Sequence, residues 1–248
     1  MSKKTALVTG GTGGLGTAIC KALATRGDVV VACHLPQETE QAMSWQQELK
    51  QDGFEVNLIA ANVGNFDEAH TMIEDLERQF GWVDILVNCA GITRDSTLRK
   101  MSSEDWETVM NVNLSSVFNV TRNIIEGMIE RGYGRIVNIS SVNGQRGQFG
   151  QTNYSAAKAG MHGFTMALAQ EAARKGVTVN SVSPGYIATQ MTAAIPDEIR
   201  SQIVSSIPVG RMGDPDDIAH TIAFLTDEKS SYITGANIPV NGGLFMSF

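Results

Sequence analysis

Short runs that are apolar or β-branched at nearly every position recur along the chain, separated by longer stretches with a helical period. The runs are Thr5–Thr9, Val29–Cys33, Glu55–Ala60, Ile85–Asn88, Ile136–Ile139, Val177–Val182 and Asn237–Val240. They do not alternate with polar residues, as expected of strands covered on both faces. Helical patterns fall between them, near Gly14–Arg26, Glu40–Asp52, Asn65–Phe80, Ser103–Arg131, Gln151–Arg174 and Pro215–Asp227. Strand–helix alternation with short connections predicts a parallel sheet of right-handed βαβ units. The expectation is one doubly wound, Rossmann-type α/β domain over residues 1–248, with about seven strands. The stretch Thr189–Met212 breaks the rhythm: it has no strand, carries Pro196 and Pro208, and reads as an inserted helical flap.

Composition narrows the function classes. A hydrophobic share of 42% in 248 residues supports a sizeable core. The longest apolar runs fall far short of the ~18 residues needed to span a bilayer. Lys3 and Lys4 precede a run that stops at Gly10, too short for a signal peptide. Cys20, Cys33 and Cys89 lack CxxC spacing, which argues against a disulfide scaffold or a structural zinc site and predicts a reducing, cytoplasmic setting. His34, His70, His162 and His220 show no ligand spacing, so no metal is expected. The net charge of −7 gives no general footprint for nucleic acid. Any anionic ligand must therefore meet local positive charge.

The first predicted strand runs into Thr9-Gly10-Gly11-Thr12-Gly13-Gly14-Leu15-Gly16 and then a helix. Glycines here allow a tight turn and let a pyrophosphate approach the backbone, where free N–H groups and the positive end of the helix dipole face it. The loop resembles the T-G-x-x-x-G-x-G pattern of the short-chain dehydrogenase/reductase family. Other segments carry the same resemblance over essentially the whole chain. Asn88-Cys89-Ala90-Gly91 is similar to the family's N-x-A-G element beside the cofactor. Asn62-Val63 resembles its D-V pair at the adenine, with Asn replacing Asp, and Pro184-Gly185, followed two residues on by Ile187, resembles the P-G at the nicotinamide. Val240-Asn241-Gly242-Gly243 resembles a terminal D-G-G. The resemblance thus implies a nicotinamide dinucleotide held by Gly10, Thr12, Gly14, Leu15, Gly16, Asn62, Val63, Asn88, Ala90, Gly91, Pro184, Gly185 and Ile187.

Tyr154 and Lys158 are i and i+4 on one helical face. A phenol of pKa about 10 is a poor acid–base catalyst near neutrality, and a nearby ammonium is expected to lower it. A lone Y-x-x-x-K is common by chance. Here Ser141 ends the fifth strand thirteen residues earlier, which matches the family's Ser–Tyr–Lys arrangement, and Asn113 resembles its fourth catalytic residue. The resemblance implies that Tyr154 protonates a carbonyl oxygen that Ser141 stabilises. Lys158 would hold the nicotinamide ribose, and Asn113 a water that relays protons to Lys158. Asn111 and Ser140 read as structural neighbours.

The segment between Ser141 and Tyr154 offers Gln148, Phe149 and Gln151 to a pocket closed on the other side by Tyr186, suiting a short polar acyl chain. After Gly91, Arg94, Asp95, Arg99 and Lys100 supply a local positive mouth, or simply a solvated face. Strings around Gly91–Asp95, Val142–Gln145, Gly147–Ser155 and Pro184–Thr189 closely resemble the acetoacetyl-CoA reductases of polyhydroxybutyrate synthesis and, next to them, the 3-oxoacyl-[acyl carrier protein] reductases. The implied substrate is an acyl-CoA thioester and the implied assembly a homotetramer, with the helices near Ser103–Arg131 and Gln151–Arg174 at one interface. A non-catalytic dinucleotide sensor would need none of the Ser–Tyr–Lys set. Relatives mostly favour NADPH, whose 2′-phosphate normally meets Arg or Lys. The loop after the second strand has no such residue and carries Glu38 and Glu40, while His34 is placed to donate one hydrogen bond to either cofactor. Local charge predicts NADH as the preferred cofactor, with NADPH also accepted.

Overall fold

The computed structural model describes residues 3–189 and 196–246. Among these, strands β1 (Thr5–Thr9), β2 (Val29–His34), β3 (Val56–Ala60), β4 (Ile85–Asn88), β5 (Gly134–Ile139), β6 (Val177–Pro184) and β7 (Asn237–Val240) form a single sheet. All pairings are parallel, in the order β3-β2-β1-β4-β5-β6-β7. The helices are α1 (Gly14–Arg26), α2 (Thr39–Gln51), α3 (Phe66–Phe80), α4 (Ser103–Met110), α5 (Ser116–Arg131), α6 (Val142–Arg146), α7 (Thr152–Ala172), α8 (Asp197–Ser206) and α9 (Pro215–Leu225).

Successive strand residues face opposite sides of the sheet, and both sides are covered. Ala6, Val8, Val30, Ala32, Ile85 and Val87 pack with Ile19 and Leu23 of α1, Leu49 of α2 and Ile218 and Ile222 of α9. Leu7, Val31, Leu86 and Ile136 pack with Met72 and Leu76 of α3, Val120 and Ile124 of α5 and Ala169 of α7. Each fully buried Leu or Ile contributes about 1.5–3 kcal/mol, so a strand of this sheet gains from being apolar at consecutive positions. This is the doubly wound fold the pattern predicts.

The differences from the sequence pattern have local causes. Ladder pairing, rather than the apolar run, sets the strand ends: β6 continues through Ser183 and Pro184 because they pair with Pro239 and Val240. Gly134 begins β5 opposite Val177, His34 extends β2 opposite Ala60, and β3 starts at Val56 opposite Val30. The helix predicted over Ser103–Arg131 is broken by a π turn at Asn111–Ser115. The one predicted over Gln151–Arg174 ends at Ala172 in a 3₁₀ turn. Within the expected flap, α8 is helical, and residues 190–195 lie outside the described residues.

The strand order reverses between β1 and β4. Chain leaving β1 enters α1 on one face, whereas chain leaving β4 reaches α5 on the other. A crevice must open where they part, at the carboxyl ends of these strands. Below it, a buried polar chain pins the sheet to two helices of one face, α5 and α7. Asn88 Nδ2 donates to Asn138 Oδ1 at 2.8 Å and to Thr121 Oγ1 at 3.3 Å, and Asn138 Nδ2 donates to Thr165 Oγ1 at 2.9 Å. Asn138→Ala orphans a donor on Asn88 and the Thr165 hydroxyl, at about 1–3 kcal/mol for each group. The urea midpoint should fall accordingly with an unchanged m value. A loss under about 0.5 kcal/mol, the ordinary size for a surface change, would contradict this role.

Candidate active site

The crevice is lined first by the glycine loop. Gly10 takes φ of 63°, and a Cβ on Gly16 would collide with the Gly10 carbonyl oxygen. The loop can therefore fold back only with glycine at these places. Helix α1 starts with Gly13 as N-cap, without a side-chain cap and without an acidic residue in its first turn. Its leading N–H groups are thus left for an anion. Thr9 Oγ1 accepts the N–H groups of Cys89 and Ala90 at 3.0 and 3.1 Å, which fastens the Asn88–Gly91 turn against the loop. Loop and turn together form the cradle a dinucleotide pyrophosphate requires, and the residues present fit that group.

Other expected cofactor residues divide into surface and support. Asn62 Oδ1 accepts the Gly64 N–H at 3.1 Å, and the Val63 carbonyl accepts Asn119 Nδ2 at 3.0 Å. The Asn88 side chain is spent inside the sheet, so it supports the wall from behind. Gly185 packs against Asn241, and buried Ile187 bridges to Gly213, which places the end of β6 across the crevice. The expectation that His34 donates to the cofactor narrows to one ring nitrogen. His34 is buried, and its Nδ1 lies 2.8 Å from the Leu35 carbonyl oxygen. A carbonyl can only accept, so the Nδ1 hydrogen is spent on Leu35 and Nε2 is the ring's one remaining polar atom.

Three elements bring the catalytic set together. Ser141 lies two residues past the end of β5 and caps α6, its Oγ accepting the Asn143 N–H at 3.1 Å. Helix α7 supplies Tyr154 and Lys158 from successive turns. Asn113 lies in the π turn between α4 and α5, fully buried. Its Nδ2 donates to the Val109 carbonyl four residues back, the acceptor an α-helical N–H of residue 113 would use. It also donates to Ile92 O and accepts from Ile92 N. Both Asn113 Nδ2 hydrogens are therefore committed to the protein, while Oδ1, which accepts one bond, keeps a second lone pair. A Cβ on Gly91 would lie 2.7 Å from Asn113 Oδ1 and 3.4 Å from Lys158 Nζ, so only glycine lets the cofactor turn approach both. Ser140 Oγ donates to the Lys158 carbonyl at 2.8 Å, the structural role expected of it.

The electrostatics depart from expectation. Burial pushes the Tyr154 phenol up to about 12, and Asp95 adds to the rise, while a hydrogen bond with Ser141 opposes it. Burial likewise pushes Lys158 down to about 8. The Lys158 ammonium donates to Ile139 O at 2.7 Å and stands 5.6 Å from the Tyr154 ring centre. Desolvation outweighs attraction at this separation, so Lys158 does not lower Tyr154 here as expected.

On the substrate side, Gln151 Nε2 donates to Asp95 Oδ2 and its Oε1 accepts from Asn143 Nδ2, each at 2.9 Å. Ser96 N–H donates to Gly150 O at 2.8 Å. The two loops expected to flank the substrate are thereby joined. Gln148 is half-buried, Tyr186 is partly buried, and Phe149 is 87% exposed at the rim. Arg94, Arg99 and Lys100 are exposed, and none pairs with a carboxylate among the described residues. Asn143 and Asn153 are connecting residues that no motif singled out. The one available signal was a polar side chain within two residues of Ser141 or Tyr154.

The model of the short chain dehydrogenase family matches residues 4–200. An acetoacetyl-CoA reductase of Allochromatium vinosum is 62% identical over 242 residues, covering 97% of this chain and 98% of that protein. An acetoacetyl-CoA reductase of Cupriavidus necator is 54% identical over 246 residues, 99% of this chain and 100% of that protein. A 3-oxoacyl-[acyl-carrier-protein] reductase of Haemophilus influenzae is 43% identical over 247 residues, the full length of both. The folded-back glycine loop and the Ser141–Tyr154–Lys158 grouping lie inside the matched span, and the chain belongs to the short-chain dehydrogenase family.

Proposed function

We propose that this protein is an oxidoreductase that reduces acetoacetyl-CoA to (3R)-3-hydroxybutyryl-CoA with a nicotinamide dinucleotide. The observation that carries the reading is the assembled Ser141–Tyr154–Lys158 site in a chain 62% and 54% identical to acetoacetyl-CoA reductases. The bound reduced nicotinamide supplies a hydride to the keto carbon. As negative charge gathers on the keto oxygen, Tyr154 donates its proton there. Ser141 Oγ already accepts the Asn143 N–H, so its own hydrogen is available to the same oxygen. Lys158 has three protons, of which one goes to Ile139 O, and the others serve the nicotinamide ribose hydroxyls. We assign Asn113 the shaping of the turn beside Gly91 and Lys158, and the holding of a water that relays protons to Lys158.

NADH is the proposed preferred cofactor, with NADPH also used. Glu38, between β2 and α2, and Glu40, in the first turn of α2, are exposed, and a 2′-phosphate near them would meet like charge. The unpaired Arg94, Arg99 and Lys100 suit coenzyme A phosphates. They equally suit an acidic carrier protein, which together with the 43% identity to a carrier-protein reductase keeps that substrate as the second reading. A cytoplasmic homotetramer is proposed on the strength of exposed Trp106, Phe118 and Met166 on α4, α5 and α7, with Phe224 and Met246 on another side.

Tyr154→Phe removes the transferable proton and should lower kcat about 10²–10⁴-fold while dinucleotide still quenches or shifts fluorescence on binding. Retention of half the turnover would rule out Tyr154 as the acid. The ratio of kcat/KM for NADH to that for NADPH should exceed unity. Glu38→Arg should move that ratio toward NADPH, and a tenfold wild-type preference for NADPH, about 1.4 kcal/mol, would reverse the assignment. Replacing Arg94, Arg99 and Lys100 together with Ala should raise KM for acetoacetyl-CoA and leave a small ketone without coenzyme A nearly unaffected. Equal effects on both would place the coenzyme elsewhere, and a higher kcat/KM for acetoacetyl carrier protein than for acetoacetyl-CoA would favour the second reading.

A further inference from the structure

We propose that Asn153 is a positioning residue that locks the catalytic acid to the substrate-side loop. The N–H groups in the first turn of α7 have no acceptor within the helix. The N-cap, Gln151, makes no side-chain cap bond, because its amide is engaged with Asp95 and Asn143. Asn153 fills that gap. Its Oδ1 accepts the N–H of Tyr154 at 2.8 Å. Its Nδ2 donates to the carbonyls of Arg94 at 3.1 Å and Asp105 at 3.4 Å. The side chain is fully buried. One amide thus spends its acceptor on the residue that carries the acid and its donors on two other segments: the loop bearing Arg94 and Asp95, and helix α4.

This joins two parts that catalysis needs in register. The loop at residues 92–101 lies along the substrate side and touches the Gly150–Gln151 segment through Ser96. The first turn of α7 fixes where the Tyr154 hydroxyl stands. Without the Asn153 amide, the α7 start is free to shift against the loop, and a displacement near 1 Å at a reacting group costs up to about 10²-fold in rate. The substrate in this inference rests on the reading given under Proposed function.

Two variants test it. Asn153→Ala removes all three bonds. Asn153→Asp keeps the acceptor, loses both donors when ionised and regains one when protonated. Both should lower kcat for acetoacetyl-CoA about 10- to 100-fold, with KM and the fluorescence-measured dinucleotide Kd within about threefold of wild type. The kinetic isotope effect from deuterated NADH should rise as the chemical step becomes limiting. The kcat of the Asp variant relative to wild type should recover as pH falls from about 8 to about 5.5, since the introduced carboxyl faces two carbonyls and gains its proton there. A kcat within about twofold of wild type, a defect confined to KM, or a relative kcat flat with pH would overturn the proposal. Failure of both variants to fold would overturn it as well, by assigning Asn153 a purely structural part. A wild-type protein inactive on acetoacetyl-CoA would strike the substrate assignment instead, and the same variant ratios would then be read on a small ketone that the wild type reduces.

Discussion

One hydroxyl holds the crevice to its working width. Strands β1 and β4 are neighbours whose continuing chains leave on opposite faces of the sheet, so the ladder between them has nothing to continue it beyond Thr9 and Asn88. Thr9 Oγ1 takes over by accepting two successive N–H groups from the β4 side. The turn it holds brings Gly91 against Asn113 and Lys158, and its other side meets Gly10. The glycine loop proposed to cradle phosphate and the groups proposed to transfer protons are thereby spaced by the same few atoms. A sheet of this order without such a fastening would open where the ligand needs close walls on both sides.

The polar groups near the crevice are arranged at a cost that other groups offset. Lys158 is nearly fully buried, and a carbonyl stands in for the water it has lost. Asn88, Asn138, Thr121 and Thr165 satisfy one another in the interior. Leaving any of them single would cost more than an apolar substitute, so the chain carries them as a connected set. The set keeps α7 at a fixed height over the sheet, and α7 carries both Tyr154 and Lys158.

The sheet was readable from the sequence because burial on both faces leaves a direct trace, as in Leu7 and Val8, which sit back to back in opposite cores. The glycine loop and the Ser141, Tyr154 and Lys158 spacing were readable because each lies within a short segment. The π turn at Asn113 was not, since it depends on an amide taking a backbone acceptor, and propensity does not encode that. The Tyr154 shift was misjudged for a related reason. Spacing along α7 reveals a cation nearby, but the amount of water removed from both groups depends on packing by segments far apart in the chain. The tie from His34 Nδ1 to the Leu35 carbonyl was likewise hidden, because it depends on how the ring is turned in the packed chain.

The three cysteines show what burial does to reactivity. Cys20 and Cys33 lie in the two cores, and burial pushes both thiols up, Cys33 to about 12. Cys89 belongs to the cofactor turn itself, and even with the Lys158 ammonium pulling it down it stands at about 11. Thiolate is the form that attacks peroxides and disulfides, and near neutral pH almost none is present at these positions. The proposed chemistry runs on a phenol, a hydroxyl and an amine. Oxidative stress would therefore reach this enzyme through the ratio of reduced to oxidised dinucleotide in its surroundings, and not through damage to the groups that do the work.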